Sequence, residues 1–195
     1  MTQKRVLVID DSNTIRRSAE IFLKQGGHEV MLAEDGFDAL AKVNDAQPDL
    51  IFCDIWGVIH NGRRLFDGVA EALIAYRRQG GTAVLVSNAP RPAQSVVPQL
   101  DGLGLPRECW DAIVTSGDVT RANIAAASAK KVFHLGPDRD RPLYGGLDMR
   151  FAASPEEAEV VVCTGLFDDP TETPETYRDM LAGLKARDRP LTRPH

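Results

Sequence analysis

The residues best placed to do chemistry are acids at the ends of apolar runs. Asp10 and Asp11 close the run RVLVI, Asp54 closes LIFC, and Ser87 closes TAVLV. Three carboxylates brought within a few ångströms repel one another, and they are tolerated only when a cation neutralises them or one keeps its proton. A hard, all-oxygen set of this kind suits Mg²⁺, with Asp10, Asp11 and Asp54 as ligands. Asp54 is then a nucleophile able to take a phosphoryl group as a mixed anhydride. Ser87, the second expected catalytic residue, donates a hydrogen bond to a phosphoryl oxygen. Backbone N–H groups around Trp56 and Gly57 hold the other oxygens, and Asn88 joins them in a tight turn near the phosphate. Each acid taken singly also suits a helix cap or a turn. Two acidic strand ends and Ser87 in one sheet are what favour a site.

The elements that must position these residues alternate along the chain. Strand-like runs cover 5–10, 29–33, 49–54, 82–87, 112–115 and 131–135, and amphipathic stretches cover 12–25, 36–44, 66–79, 92–103 and 118–127. This alternation predicts an α/β fold: a doubly wound parallel sheet, three layers deep, with right-handed crossovers. In such a sheet ligands collect at the carboxyl ends of the strands, beside the switch point. Residues 136–146, rich in Pro and Gly, read as a linker. Beyond them, Ser154-Pro155-Glu156-Glu157 has the form of a capping box, 159–163 reads as a strand, and a last helix runs from Thr173 to about Arg187.

Composition narrows the classes. The chain has 195 residues, 43% hydrophobic and 26% charged, with a net charge of −5. That is a globular composition with no long basic run, so nucleic acid is not an expected partner. No apolar run reaches the length of a membrane span, and the N-terminus passes directly into the first strand, so a cytoplasmic location without membrane attachment is expected. Cys53, Cys109 and Cys163 form an odd, unpatterned set read as free thiols.

Residues 1–54 resemble a response-regulator receiver domain of the twitching-motility type, carried by RVLVIDDSNTIRR, AEDGFDALAKV and PDLIFCDI. The resemblance makes Asp10-Asp11 the Mg²⁺ pocket and Asp54 the phosphoacceptor. Residues 51–190, carried by IFCDIWGVIHNGRRLFDGVAEAL, AVLVSNAPRP and AIVTSGDVTRA, resemble the haloacid dehalogenase superfamily, in its capped, nitrophenylphosphatase-like branch. There Asp54 is the nucleophile and Ser87 the second-motif hydroxyl. Both resemblances imply Mg²⁺ held also by the backbone carbonyl of Trp56. The chain therefore looks like a hybrid joined at Asp54, with a flavodoxin-like or haloacid-dehalogenase-like Rossmannoid sheet ordered 2-1-3-4-5 and room for a sixth strand. The expected division is a receiver-like half (1–54), a phosphatase-like half completing the same sheet (51–145) and a truncated cap-like segment (146–195). That segment leaves the apolar strand Val160–Cys163 without partners, which favours a homodimer.

Departures from both patterns bear on function. Trp56 stands where most of the phosphatase superfamily has a second Asp that protonates the leaving group, and Trp transfers no proton. Neither family's phosphate-facing Lys is present; Arg91 is the nearest cation by sequence. His60, on the loop after Asp54, reads either as a substrate-facing residue or as a partly exposed loop residue. Three functions remain open: a slow Mg²⁺-dependent phosphomonoesterase acting on a small phosphorylated molecule; a phosphorelay module charged by a histidine kinase or a small phosphodonor; and a fused product with no evolved activity.

Overall fold

The computed structural model describes residues 2–168, 171–186 and 191–192, and the chain divides into two compact units. The first holds residues 1–87 and 96–114, the second residues 88–95 and 115–195.

The first unit is built on a five-stranded parallel sheet. Its strands are β1 (Arg5–Ile9), β2 (Glu29–Ala33), β3 (Leu50–Asp54), β4 (Thr82–Ser87) and β5 (Ala112–Thr115), in the order β2-β1-β3-β4-β5. This is the predicted order. β1 lies between β2 and β3 and is apolar, and Val6 to Ile9 are all buried, as a parallel strand covered on both faces requires. Between the strands run α1 (Asn13–Gln25), α2 (Gly36–Ala46), α3 (Val69–Arg78) and α4 (Ala93–Gly102). β1 to β2 steps to one side and β2 to β3 to the other, so right-handed crossovers place α1 and α2 on opposite faces. Asp35 caps α2 by accepting the Asp38 amide at 2.9 Å. α3 begins later than the predicted Phe66, because residues 66–68 form a turn in which Gly68 takes φ +80°. Its far end is tied down by Arg77, which pairs with both oxygens of Asp111, while Asp111 also accepts the Ala83 amide at 2.8 Å. At the foot of the sheet Tyr76 donates to the Pro48 carbonyl at 3.0 Å and lies over Gly81, where a Cβ would fall 2.2 Å from its ring.

The second unit begins at the β4–α4 connection and continues with α5 (Ser116–Ala126). Thr115 and Asp118 form a reciprocal capping box at its start. Thr115 Oγ1 also reaches the Arg91 carbonyl at 2.7 Å, and the Arg91 backbone leaves no room for a side chain on Gly117. Arg91 therefore belongs to this cap. A separate four-stranded sheet follows, ordered β7-β6-β8-β9, from β6 (Lys131–Leu135), β7 (Arg150–Phe151), β8 (Val160–Cys163) and β9 (Leu191–Thr192).

This second sheet corrects three expectations. The sixth strand does not extend the first sheet, because both its edges are taken by β7 and β8. The strand Val160–Cys163 is not unpartnered: it pairs with β6 and β9, and Val160, Val161 and Val162 are buried. The stated ground for association through it is thereby removed. The stretch 136–146 is no open linker, since residues 138–144 form a 3₁₀ helix that buries Leu143 and Tyr144 in the core of this unit. The capping box at Ser154 yields only a single 3₁₀ turn, Pro155–Glu157. The last helix opens as a 3₁₀ turn at Pro174 and continues as α6 (Arg178–Ala186), its expected end at Arg187 lying outside the described residues.

Candidate functional site

β1 and β3 are neighbours with Ile9 opposite Cys53, so the residues that follow them, Asp10 and Asp54, stand at the same level at the carboxyl edge of the sheet. This edge lies at the switch point of a 2-1-3-4-5 sheet. One carboxylate oxygen from each of Asp10, Asp11 and Asp54 lies within 4.8 Å of the other two. Asp10 and Asp54 are partly buried and Asp11 is exposed. The chain turns sharply after each acid. Asp10 accepts the Ser12 amide at 2.8 Å, and Asp54 accepts the Ile55 amide at 2.8 Å.

The electrostatics follow from that crowding. Burial, then repulsion from Asp10, pushes the Asp54 carboxyl up to about 7, against the Ile55 hydrogen bond, which favours the charged form. Asp10 is also raised, chiefly by burial, with Asp11 adding to it and the Ser12 amide and Arg16 opposing. Arg16 is the residue that sequence reasoning passed over. Its guanidinium donates to the Asp10 carbonyl at 2.5 Å and lies 3.9 Å from Glu34. Its position six residues after Asp10, one turn into α1, was the available signal.

The loop after Asp54 folds back on itself. Gly57 donates its amide to the His60 carbonyl at 3.0 Å, and Phe66 donates to the Ile59 carbonyl at 3.0 Å. His60 is 1% exposed, with its Nδ1 accepting the Gly62 amide, which corrects the reading of it as partly exposed; burial lowers its pKa. The Gly57 amide is thus already used, and it is not the open phosphate donor expected from sequence. Gly57 instead leaves space. At φ +91°, a Cβ there would fall 2.4 Å from Asp11 Oδ2. Trp56 is 60% exposed. Ser87 is buried at the end of β4, one residue beyond Val86, which stands opposite Asp54. Asn88 follows Ser87 directly in the chain and is the first residue of the second unit.

The donor set bears directly on a metal. Three carboxylates with little positive charge between them, one driven to hold a proton near neutrality, are a set of oxygen ligands matched to a hard divalent cation. Asp10, Asp11 and Asp54 are the residues that fit it.

An acidic pair and a third aspartate at the switch point of a parallel sheet define an aspartate-centred Rossmannoid site. A profile of the haloacid dehalogenase-like hydrolases matches residues 51–149, half of the chain, and a response regulator receiver domain profile matches residues 6–69. The chain belongs to the haloacid dehalogenase-like hydrolase family, with a receiver-like N-terminal part, and the two matches overlap across Asp54. Protein PilG of Pseudomonas aeruginosa is 61% identical over 51 residues, 26% of this chain and 38% of PilG. A haloacid dehalogenase-like hydrolase from Brucella suis 1330 is 45% identical with a TM-score of 0.69, over 80% of this chain and 59% of that one. A 4-nitrophenylphosphatase from Thermotoga maritima shares the fold, at 22% identity and a TM-score of 0.57, over 75% of this chain and 54% of that one. The chain therefore spans less than two thirds of each of these relatives. Among the described residues no helix is long and apolar enough to cross a membrane.

Proposed function

We propose that the chain carries out Mg²⁺-dependent phosphoryl transfer through Asp54, as a slow phosphomonoester hydrolase. The observation that supports this most is the gathering of three carboxylate oxygens within 4.8 Å at the switch point. Asp10, Asp11 and Asp54, with the Trp56 carbonyl, are the groups that would hold the ion. When bound, Mg²⁺ supplies positive charge that favours ionised carboxylates and offsets charge on the phosphoryl oxygens.

The chain's own residues do the rest. Asp54 must be ionised to attack, so its raised proton affinity has to be overcome before chemistry begins. Its carboxylate oxygen then bonds to phosphorus as the bond from phosphorus to the leaving oxygen breaks, giving an aspartyl phosphate. Water attack on that phosphorus releases phosphate and restores Asp54. Ser87 is assigned to donate to a phosphoryl oxygen. Trp56 offers no proton to the leaving oxygen, so esters of acidic alcohols and mixed anhydrides are the favoured substrate class. Arg16 positions Asp10 through the backbone carbonyl it holds.

Hydrolysis of p-nitrophenyl phosphate and of a primary alkyl phosphate, with and without Mg²⁺, tests this reading. The expected result is slow, Mg²⁺-dependent turnover of the aryl ester, at least about a hundredfold faster than the alkyl ester, given what leaving-group protonation ordinarily contributes, and abolished by Asp54→Asn. Turnover surviving Asp54→Asn contradicts the proposal. A second reading, a phosphoacceptor charged by a histidine kinase or a small phosphodonor, draws on the same Trp56: without a leaving-group acid, an acyl phosphate is an easier donor than an ester.

A further inference from the structure

α2 comes from the receiver-like part of the chain and α3 from the hydrolase-like part, and where they meet the first unit is incompletely filled. Small residues face the junction, Gly36 and Ala39 on α2 and Gly68 and Ala72 at α3. A cavity of about 250 Å³ opens there, walled by Phe37, Leu40, Val58, Phe66 and Val69. A smaller hollow of about 50 Å³ continues beneath it to Ile51 and Cys53 in the floor of the sheet. Phe37 is 83% exposed and Phe66 36%, so two aromatic rings stand at the opening. The charge of the wall has one sign: Asp35 and Asp67 line it, and no Lys, Arg or His does among the described residues. Arg64 pairs with Asp67 3.2 Å away, but both side chains are largely exposed, and such pairs hold little energy. Gly57 is shared between this wall and the acidic cluster, since a side chain on it would run into Asp11.

We propose that this seam binds a small aromatic cation: one or two fused rings in the apolar cavity, with an ammonium group at the acidic, aromatic mouth. The volume is smaller than that of drug-sized sites, which sets the ligand at a fragment. The rings meet Phe37, Leu40 and Val69. The ammonium meets the carboxylates of Asp35 and Asp67 and the faces of Phe37 and Phe66, where a cation is favoured over an anion of equal size. The site adjoins the acidic cluster through Gly57 but does not require that Asp54 be phosphorylated.

The test is a chemical-shift titration of the full chain's backbone amides, in metal-free buffer, with naphthylmethylamine and with naphthoate. These share a ring system and differ in charge. Expected are saturable shifts at Gly36, Phe37, Leu40, Val58 and Val69 with the amine, at a Kd on the order of 1 mM for a ligand of this size, and binding of naphthoate weaker by about tenfold or more, as a difference of roughly 1.4 kcal/mol gives. Ala72→Phe fills the cavity and should abolish the shifts. Phe37→Ala, at an exposed position that leaves the fold intact, should weaken amine binding about threefold or more, the loss of roughly one cation–aromatic contact. The proposal is overturned if the amine gives no saturable shifts at these residues, if naphthoate binds as well, or if Phe37→Ala leaves the affinity unchanged.

Discussion

Replacing Asp54 by Asn in the metal-free protein is expected to stabilise it, against the usual direction of substitutions at partly buried sites. The folded protein holds a proton on Asp54 up to about 7, whereas the unfolded chain releases it near 3.8. Between those values the native state binds more protons than the unfolded state, so this group makes stability fall as pH rises from about 4 to about 7, and above that the penalty is constant. A gap of that width corresponds to at most about 4 kcal/mol. Asp11 is exposed and the edge is open to water, so screening reduces the expectation to about 2 kcal/mol. Asn removes the charge and keeps the acceptor that the Ile55 amide uses. For a chain of this size that is a rise in Tm of about 4–8 °C at about pH 8, fading to nothing at about pH 4. Thermal melts of both proteins in chelator across that range provide the assay. A lower Tm for Asp54→Asn at about pH 8, or a gain independent of pH, would refute the reasoning.

Other outcomes follow from the same geometry. Mg²⁺ should raise the Tm of the wild-type chain and leave that of an Asp10→Asn/Asp11→Asn variant unchanged, because an ion that binds only the native state stabilises it by mass action. Gly57→Ala should cost about 1–2 kcal/mol from its left-handed backbone and weaken the Mg²⁺-induced rise in Tm, since the new methyl group displaces Asp11. Asp111→Ala should destabilise the first unit by about 1–3 kcal/mol, measured by urea denaturation, because it takes the acceptor from the Ala83 amide and leaves Arg77 only its bond to the Glu108 carbonyl. Tyr144→Phe should cost the second unit about 1–2 kcal/mol in the same assay, since the buried His134 ring loses its 2.8 Å partner.

The strands themselves were legible because β1, β3 and β4 are apolar runs that end in functional groups, whereas their order came from the resemblance of residues 1–54 to a receiver domain and of residues 51–190 to the haloacid dehalogenase superfamily. The convergence of Asp10, Asp11 and Asp54 followed from that order alone. What periodicity could not show was where one sheet stops. Lys131–Leu135 reads as well for an edge strand of the first sheet as for the centre of a second, and only the pairing of β6 with both β7 and β8 decides it. The loop after Asp54 was illegible for a different reason. Its conformation rests on Gly57 and Gly62 at positive φ and on the buried His60, local hydrogen bonding that no apolar pattern reports. Arg16 went unseen because its contact is with a backbone carbonyl, so that only its position one turn into α1, and not the types of its neighbours, pointed to it.

Intact-mass and peptide-level mass spectrometry after incubation with acetyl phosphate and Mg²⁺ bears most directly on the role given to Asp54. A single phosphoryl adduct on the peptide containing Asp54, dependent on Mg²⁺ and missing from Asp54→Asn, is the predicted result. An unmodified chain under those conditions, or an adduct that persists in Asp54→Asn, would contradict it.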